Sequence, residues 1–444
     1  MNMFFSNRLF IINCALTALC AASLQVGATN LEDVYNIAET SDPQFKQVAA
    51  ATRAILERRP QALAGFMPTA NFSAGTTGND QNLNSAGIGT TGKTTFNSHN
   101  YSLDVSQPLF RLDRFIALKQ ADSIIKQADA ELSSAQQDLM IRVSEAYFDV
   151  LAAQDSYEFA QAEKKSLSKQ LDQAKQRFEV GLTAITDVQE AQAGFDLAVS
   201  QEIVAENEID NTSEGLRAIT GEYTANLHGV SDDMPLVNPQ PEIIDTWTDT
   251  ALEQNLDVLS AHFAVDTARE EIRRQKAGHL PTVDLVARHG FDKSGGRFGS
   301  FSSRASSIGV QLNVPLFQGG FVNSKTREAQ QRLDEQFQRL EQARRQAQRL
   351  TRQAYLGVIS GISQVKALKQ AVVSSETALL STQAGFEVGT RTAVDVVASE
   401  RTTFQARRNY SRSRYDYILN TLRLKRAAGV LSTSDLSQLS QWLK

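Results

Sequence analysis

The sequence predicts a mainly α-helical, elongated chain built from a tandem duplication, each copy inserting a β-hairpin long enough to cross a bilayer. Three observations carry this: two proline-free stretches rich in helix formers, a self-match at constant spacing, and alternating polarity between paired prolines. The 444 residues are 41% hydrophobic and 21% charged, with a mean hydropathy of -0.30. Neither a disordered chain nor a polytopic helical membrane protein has that composition. A formal charge of -5 leaves no basic field for nucleic acid, so no nucleic-acid partner is expected.

Residues 1–28 read as a secretory signal peptide: Arg8 precedes the apolar run Leu9 to Ile12 and Ala15 to Leu19, and Val26-Gly27-Ala28 offers small residues for cleavage. Both cysteines, Cys14 and Cys20, lie inside it. Leu19 before Cys20 is the wrong residue for a lipidated cysteine. A mature chain without thiols uses neither disulfides nor a cysteine metal site, so burial and oligomerisation must hold it together.

No proline occurs between Pro108 and Pro235 or after Pro315, and both stretches are rich in Ala, Gln, Glu, Leu, Arg and Lys. Apolar residues recur there at three and four, as in Leu139, Val143, Tyr147, Val150 and Leu151, and in Leu350, Ala354, Val358, Ile362 and Val365. A helix from Asp113 to Val180 would reach roughly 100 Å at ~1.5 Å per residue, far beyond a compact domain.

The two stretches are copies. Tyr147 pairs with Tyr355, Phe178-Glu179-Val180-Gly181 with Phe386-Glu387-Val388-Gly389, Asp187-Val188 with Asp395-Val396 and Gly221 with Gly429, all at a spacing of 208. Pro108-Leu109-Phe110 answers Pro315-Leu316-Phe317, and Met67-Pro68-Thr69 answers Leu280-Pro281-Thr282. The expected organisation is a first repeat over 29–229, a proline-containing segment over 230–250 and a second repeat over 251–444. The linking segment is expected to wrap the middle of the body with the two chain ends.

Between the paired prolines the period becomes two. Tyr101 to Ser106 and Ile308 to Val314 alternate apolar with polar, Val283 to Arg288 does so loosely, and Thr69 to Ala74 is the weakest case. Each repeat thus offers a hairpin, about 66–109 and about 280–317, of ~10-residue strands joined by a polar loop. Four strands cannot close a barrel, so spanning a membrane requires several chains. Two copies would supply eight strands and three would supply twelve.

Catalytic and metal motifs are absent from this reading. Gly87 to Thr94 matches G-x-x-x-x-G-K-[ST] literally but has no buried strand before it and no helix after it, as a phosphate loop requires. The histidines, His99, His228, His262, His279 and His289, show no ligand spacing, and no G-x-S-x-G elbow occurs. No cofactor, metal or enzymatic activity is expected. Val180 to Asp187 and Val388 to Asp395 instead read as helix-turn-helix corners: Gly ends the incoming helix and Thr186-Asp187 caps the outgoing one. Arg391 can donate a charge-assisted bond to Asp187, locking the tips together, and Asp395 repeated around a pore would form an acidic ring favouring cations.

The phrases from Arg177 to Val188 and from Val388 to Val396, with the duplicated strand and helix plan over nearly the whole mature chain, resemble the TolC family of outer-membrane efflux and type I secretion channels. The resemblance implies a homotrimer whose twelve strands form one barrel in outer-membrane lipid and whose helices form a long periplasmic tunnel. It implies a passive duct fed by a periplasmic adaptor and an inner-membrane transporter of ABC, RND or MFS type. Asp187 and Arg391 match the bond that constricts the family's tip, with Phe386 where the family has a tyrosine. Asp395 matches the upper of two acidic rings; Ala398 stands at the lower, and Glu400 is the acid that would compensate. Val180, Gly181, Leu182, Val388, Gly389 and Thr390 match the clefts that receive the adaptor. The alternative reading is a periplasmic coiled-coil tether or adaptor without a pore.

Overall fold

A computed structural model describes residues 29–83, 92–224, 226–231, 233–296 and 299–443. The signal-peptide expectation and the Gly87–Thr91 part of the glycine-rich match lie outside them. Three short helices, α1 (Leu31–Ser41), α2 (Pro43–Leu56) and α3 (Arg58–Ala64), lead into strands β1 (Thr69–Leu83) and β2 (Gly92–Phe110). Helices α4 (Leu112–Glu179) and α5 (Ile185–Thr220) complete the first copy. The second repeats it with α6 (Ile244–Gln254), α7 (Leu256–Lys276), β3 (Thr282–Ser294), β4 (Phe301–Asn313), α8 (Phe321–Glu387) and α9 (Ala393–Ala428), closed by α10 (Thr433–Ser440).

The long helices exist because nothing breaks them. The 68 residues of α4 contain no proline, and charged residues pair along the exposed faces, as Arg339 with Glu335 and Arg345 with Glu341 do on α8. At ~1.5 Å per residue α4 spans roughly 100 Å. The duplication is visible in where helices stop. Helices α4 and α8 end 208 residues apart at Glu179 and Glu387, and α5 and α9 end 208 apart at Thr220 and Ala428. Gly221 and Gly429 follow with φ of 82° and 80°, the left-handed conformation in which a Cβ is costly. Helix α4 packs along α5 and α8 along α9, and α4 also lies against α9, joining the two hairpins. No helix is long and apolar enough to cross a membrane among the described residues.

The principal core lies where the middles of α4 and α8 meet the C-terminal part of α9, far from the tips. Tyr147 and Phe148 of α4 are fully buried there, and the Phe148 ring stacks on Tyr415 with centroids 5.5 Å apart. Leu31 and Tyr35 from α1, Leu436 and Leu439 from α10, and Trp247 from α6 join the same cluster. Thr29 bridges Leu227 and Val230 bridges Leu443, so the first and last described residues and the linking segment meet on this belt. The paired tyrosines anchor it: Tyr147 Oη donates to the His228 carbonyl and Tyr355 Oη to the Glu242 carbonyl, each at 2.8 Å. Each hydroxyl thus finds an acceptor while its ring contributes burial.

The four strands form one antiparallel sheet in the order β1-β2-β3-β4. At 15, 19, 13 and 13 residues they are longer than the ~10 expected, and β1, whose pattern was weakest, is longer than β3. Backbone pairing continues through the Gly, Asn and Thr of the expected loops because it needs no apolar side chain.

Candidate functional site

The two helix corners share one construction. At the end of α4 the Leu182 amide donates to the Arg177 carbonyl at 2.8 Å and Gly181 to Phe178 at 2.9 Å; at the end of α8 Thr390 donates to Gly385 at 2.8 Å and Gly389 to Phe386 at 3.1 Å. This pair of reversed bonds needs a left-handed residue, and Gly181 and Gly389 supply it at φ 75° and 79°. The corners leave Val180, Leu182 and Val388 projecting, each about 70% exposed or more.

The outgoing helices start differently. In α9, Thr392 is the N-cap: Asp395 accepts from its amide at 2.9 Å and its hydroxyl at 3.0 Å, and the Asp395 amide donates back to the hydroxyl. These bonds from Thr392, with the Arg391 charge adding to them, hold the Asp395 carboxyl below the usual carboxylate range. In α5 the N-cap is Ala184, which has no side-chain acceptor. Asp187, the counterpart of Asp395, accepts a hydrogen bond from the Thr183 hydroxyl instead. The expected Thr186-Asp187 cap is therefore corrected: the helix begins one residue before Thr186, and Thr186 lies inside its first turn.

Asp187 and Arg391 form no ion pair within the protomer among the described residues. Two residues missed by the sequence reading lie beside them. The Arg177 guanidinium sits 4.9 Å over the Phe386 ring, tying the first corner to the second. A Cβ on Gly385 would stand 2.8 Å from Arg391 Cγ, so the bare glycine lets Arg391 fold back over the helix end. The 208-residue spacing contains the signal: it pairs Arg177 with Gly385 and Thr183 with Arg391.

Glu400, the acid that would compensate for Ala398, does not face open solvent in the protomer. Its side chain is 2% exposed and accepts from Ser166 of α4 at 2.7 Å, so it faces the joint between the hairpins. Burial raises its carboxyl above the usual range, with nearby Glu163 adding to the shift. Glu163 is equally buried but is balanced by Arg408 at 3.2 Å. A cleft of about 680 Å³ opens between the joint and the tips, lined by Ser166, Arg177, Phe386, Val396 and Glu400.

The sheet register sorts residues by chemistry. One face carries Ala70, Val105, Ala287 and Ile308 in one row, Phe72, Leu103, His289 and Ser306 in the next, and Ala74, Tyr101, Phe291 and Arg304 beyond. Tyr101 stacks on Phe291 at 5.4 Å and on Phe72 at 6.5 Å, and Ile308, Val310 and Leu312 are more than 60% exposed. The opposite face carries Asn71, Asp104, Arg288 and Ser307, then Ser73, Ser102, Gly290 and Ala305. There Ser102 donates to Asp104 at 2.7 Å, and Arg288 lies 3.5 Å from Asp104. An uncovered apolar face backed by a wet one is the arrangement of a barrel wall between lipid and a water-filled lumen. Among the described residues no group of three metal-binding side chains occurs.

A family model described as Outer membrane efflux protein matches residues 34–222 and 247–430. The chain is 37% identical over 443 residues to Outer membrane protein TolC of Vibrio cholerae, covering 96% of this chain and 97% of that protein. It is 30% identical to Alkaline protease secretion protein AprF of Pseudomonas aeruginosa, covering 92% and 86%. Its fold superposes on the Campylobacter jejuni CmeC outer membrane channel with a TM-score of 0.79 at 16% identity, covering 100% of this chain and 98% of that one.

Proposed function

Since the chain belongs to the outer membrane efflux protein family, as an outer-membrane exit duct of efflux and type I secretion, we propose that its periplasmic tip is held shut by Asp187 of one protomer and Arg391 of the next. The fold is that of a trimeric barrel of four strands per chain continuing into a helical tunnel. Family members are channels rather than enzymes, and such a duct works with an adaptor and an inner-membrane transporter. The tether without a pore is set aside, because it has no use for a sheet with one lipid-compatible face.

The observation that supports the lock is the inequality of the two carboxylates. Asp395 is engaged by its own helix cap, whereas Asp187 has a single hydroxyl donor and keeps lone pairs for a further partner. Arg391 has no carboxylate within ion-pair distance in its own protomer among the described residues. A guanidinium bound to a carboxylate is a strong, directional clasp, yet one that competing contacts can displace. Phe386 adds no hydroxyl to this clasp; its ring receives Arg177 instead.

Asp395 then acts as the cation-selecting ring at the tunnel mouth, kept ionised by Thr392. The projecting Val180, Gly181, Leu182, Val388, Gly389 and Thr390 form the surface on which the adaptor docks, and exposed Val180, Leu182 and Val388 supply its apolar contacts. The transporter behind the adaptor is of ABC, RND or MFS type. The repeats over 29–229 and 251–444 act as quasi-equivalent halves, with 230–250 as part of the belt that joins them.

Single-channel conductance of the purified trimer in a planar bilayer tests the lock. Arg391→Ala should raise a small cation-selective current several-fold. A current that is already large and unchanged by the substitution would refute it.

A further inference from the structure

The outward face of the sheet carries, at its outer end, a cationic patch that the duct function does not use. His99 of β2 pairs with Lys293 of β3, and Phe291, two residues before Lys293, pairs with Arg304 of β4. All three side chains share the face of Phe72 and Tyr101, because residues two apart along a strand point the same way. The Arg304 guanidinium lies 5.9 Å over the Phe291 ring. His99, Lys293 and Arg304 are exposed. Among the described residues the only carboxylate on this face, Asp80, is neutralised by Lys93 at 2.7 Å. Asp292 belongs to the opposite, lumen face.

Depth places the patch at a membrane surface. Nine residues separate Thr282, where β3 leaves the helical body, from Phe291, a rise of about 30 Å along the strand at ~3.3 Å per residue. A strand tilt of ~40° shortens this to about 23 Å, close to the ~25 Å apolar band of a barrel. Tyr101 and Phe291 thus stand where the aromatic girdle of the outer leaflet belongs, and Lys293 and Arg304 stand at or just beyond it. A cation on the lipid side is expensive in hydrocarbon but favourable where its head reaches anionic groups.

We propose that Lys293 and Arg304, flanked by His99, bind the phosphate groups of anionic lipid headgroups in the outer leaflet, fixing the barrel's depth and attaching ordered lipid to each protomer. A guanidinium braced on an aromatic ring beside an ammonium without an ion pair among the described residues suits a multiply charged phosphate headgroup. This reading is independent of the tip lock.

The test is retention of purified lipopolysaccharide by the detergent-solubilised full-length trimer, measured by native mass spectrometry against phosphatase-treated lipopolysaccharide and inorganic phosphate. Wild type should prefer the phosphorylated lipid. Lys293→Gln and Arg304→Gln should each weaken retention roughly fivefold and together about 25-fold. The neutral swap Asp80→Asn with Lys93→Gln should leave retention unchanged, and unaltered conductance of every variant shows that the barrel is intact. Equal retention of dephosphorylated lipid by wild type, or full preference in the double variant, overturns the proposal. Displacement by millimolar inorganic phosphate would overturn the headgroup assignment in favour of a free-anion site.

Discussion

The first and second tips descend from one sequence pattern and end their incoming helices identically, yet they differ at the two positions that govern charge. The first keeps Thr183 and Ala184 and leaves Asp187 held by one hydroxyl; the second has Arg391 and Thr392 and binds Asp395 into its own cap. Duplication thus preserved the backbone turn, which only a left-handed glycine satisfies, while the side chains diverged into a donor half and an acceptor half. Shared geometry with divergent charge is what the proposed lock requires, since one chain then contributes both sides of a clasp between neighbours.

The largest test of that distinction between shared turns and unequal surroundings lies at the other corners. Gly221 and Gly429 differ by only 2° in φ, but a Cβ on Gly429 would stand 2.2 Å from the Gln254 carbonyl oxygen, whereas one on Gly221 would meet only Ser41 Cβ at 3.7 Å. Gly429→Ala should therefore cost about 3 kcal/mol or more and Gly221→Ala about 1 kcal/mol, read from thermal melting of the trimer in detergent. Equal losses would mean that the halves are supported alike after all.

Giving the first tip the second tip's cap sharpens the comparison further. Ala184→Ser should stabilise α5 by up to about 1 kcal/mol, because Ser supplies the missing N-cap acceptor and Asp187 already occupies the third helical position. The same change draws Asp187 into its own helix, so conductance should rise although the fold is firmer. A stabilised protein with unchanged conductance would show that Asp187 is not the acceptor of the lock.

The smallest expected effect concerns the buried joint. Glu400 has Gln192 as its counterpart in the first repeat, and Gln192 donates to Asp196 at 2.8 Å without burying a charge. The carboxyl of folded Glu400 is raised by burial, so its contribution is fully present below the ordinary carboxylate range near ~4.3 and is lost as pH rises through the folded value. Glu400→Gln should accordingly be more stable than wild type by about 1 kcal/mol at pH 7, with the gap closing as pH falls toward 4. A gap that widens on acidification would place the stabilising charge on Glu400 itself.

Much of this is legible in the sequence. The absence of proline set the long helices, and the predicted Asp113–Val180 helix differs from α4 by one residue at each end. The 208-residue spacing located both tips. The caps were not legible, because Thr186-Asp187 looks as good an N-cap as Thr392, and only the backbone path showed that α5 begins before it. Nor was the role of Gly385 legible, since a glycine within a helix pattern shows its purpose only when Arg391 Cγ is found against it. Strand lengths were underestimated because alternation fades where strands leave the apolar band, although backbone pairing continues.

The sequence by itself determined the elements, their duplication and the two faces of each strand, since these depend on helix breakers and on periods of 3.6 and 2 that are local properties of the chain. Only the tertiary structure decided which carboxylates are free. Glu400 and Asp395 are both acids on α9 five residues apart, yet one is sealed against Ser166 and the other is held at the helix entrance by Thr392. The Glu400 state is set by desolvation and by partners that packing brings within reach, which no periodicity encodes, whereas the Asp395 bonds are local to the start of its own helix.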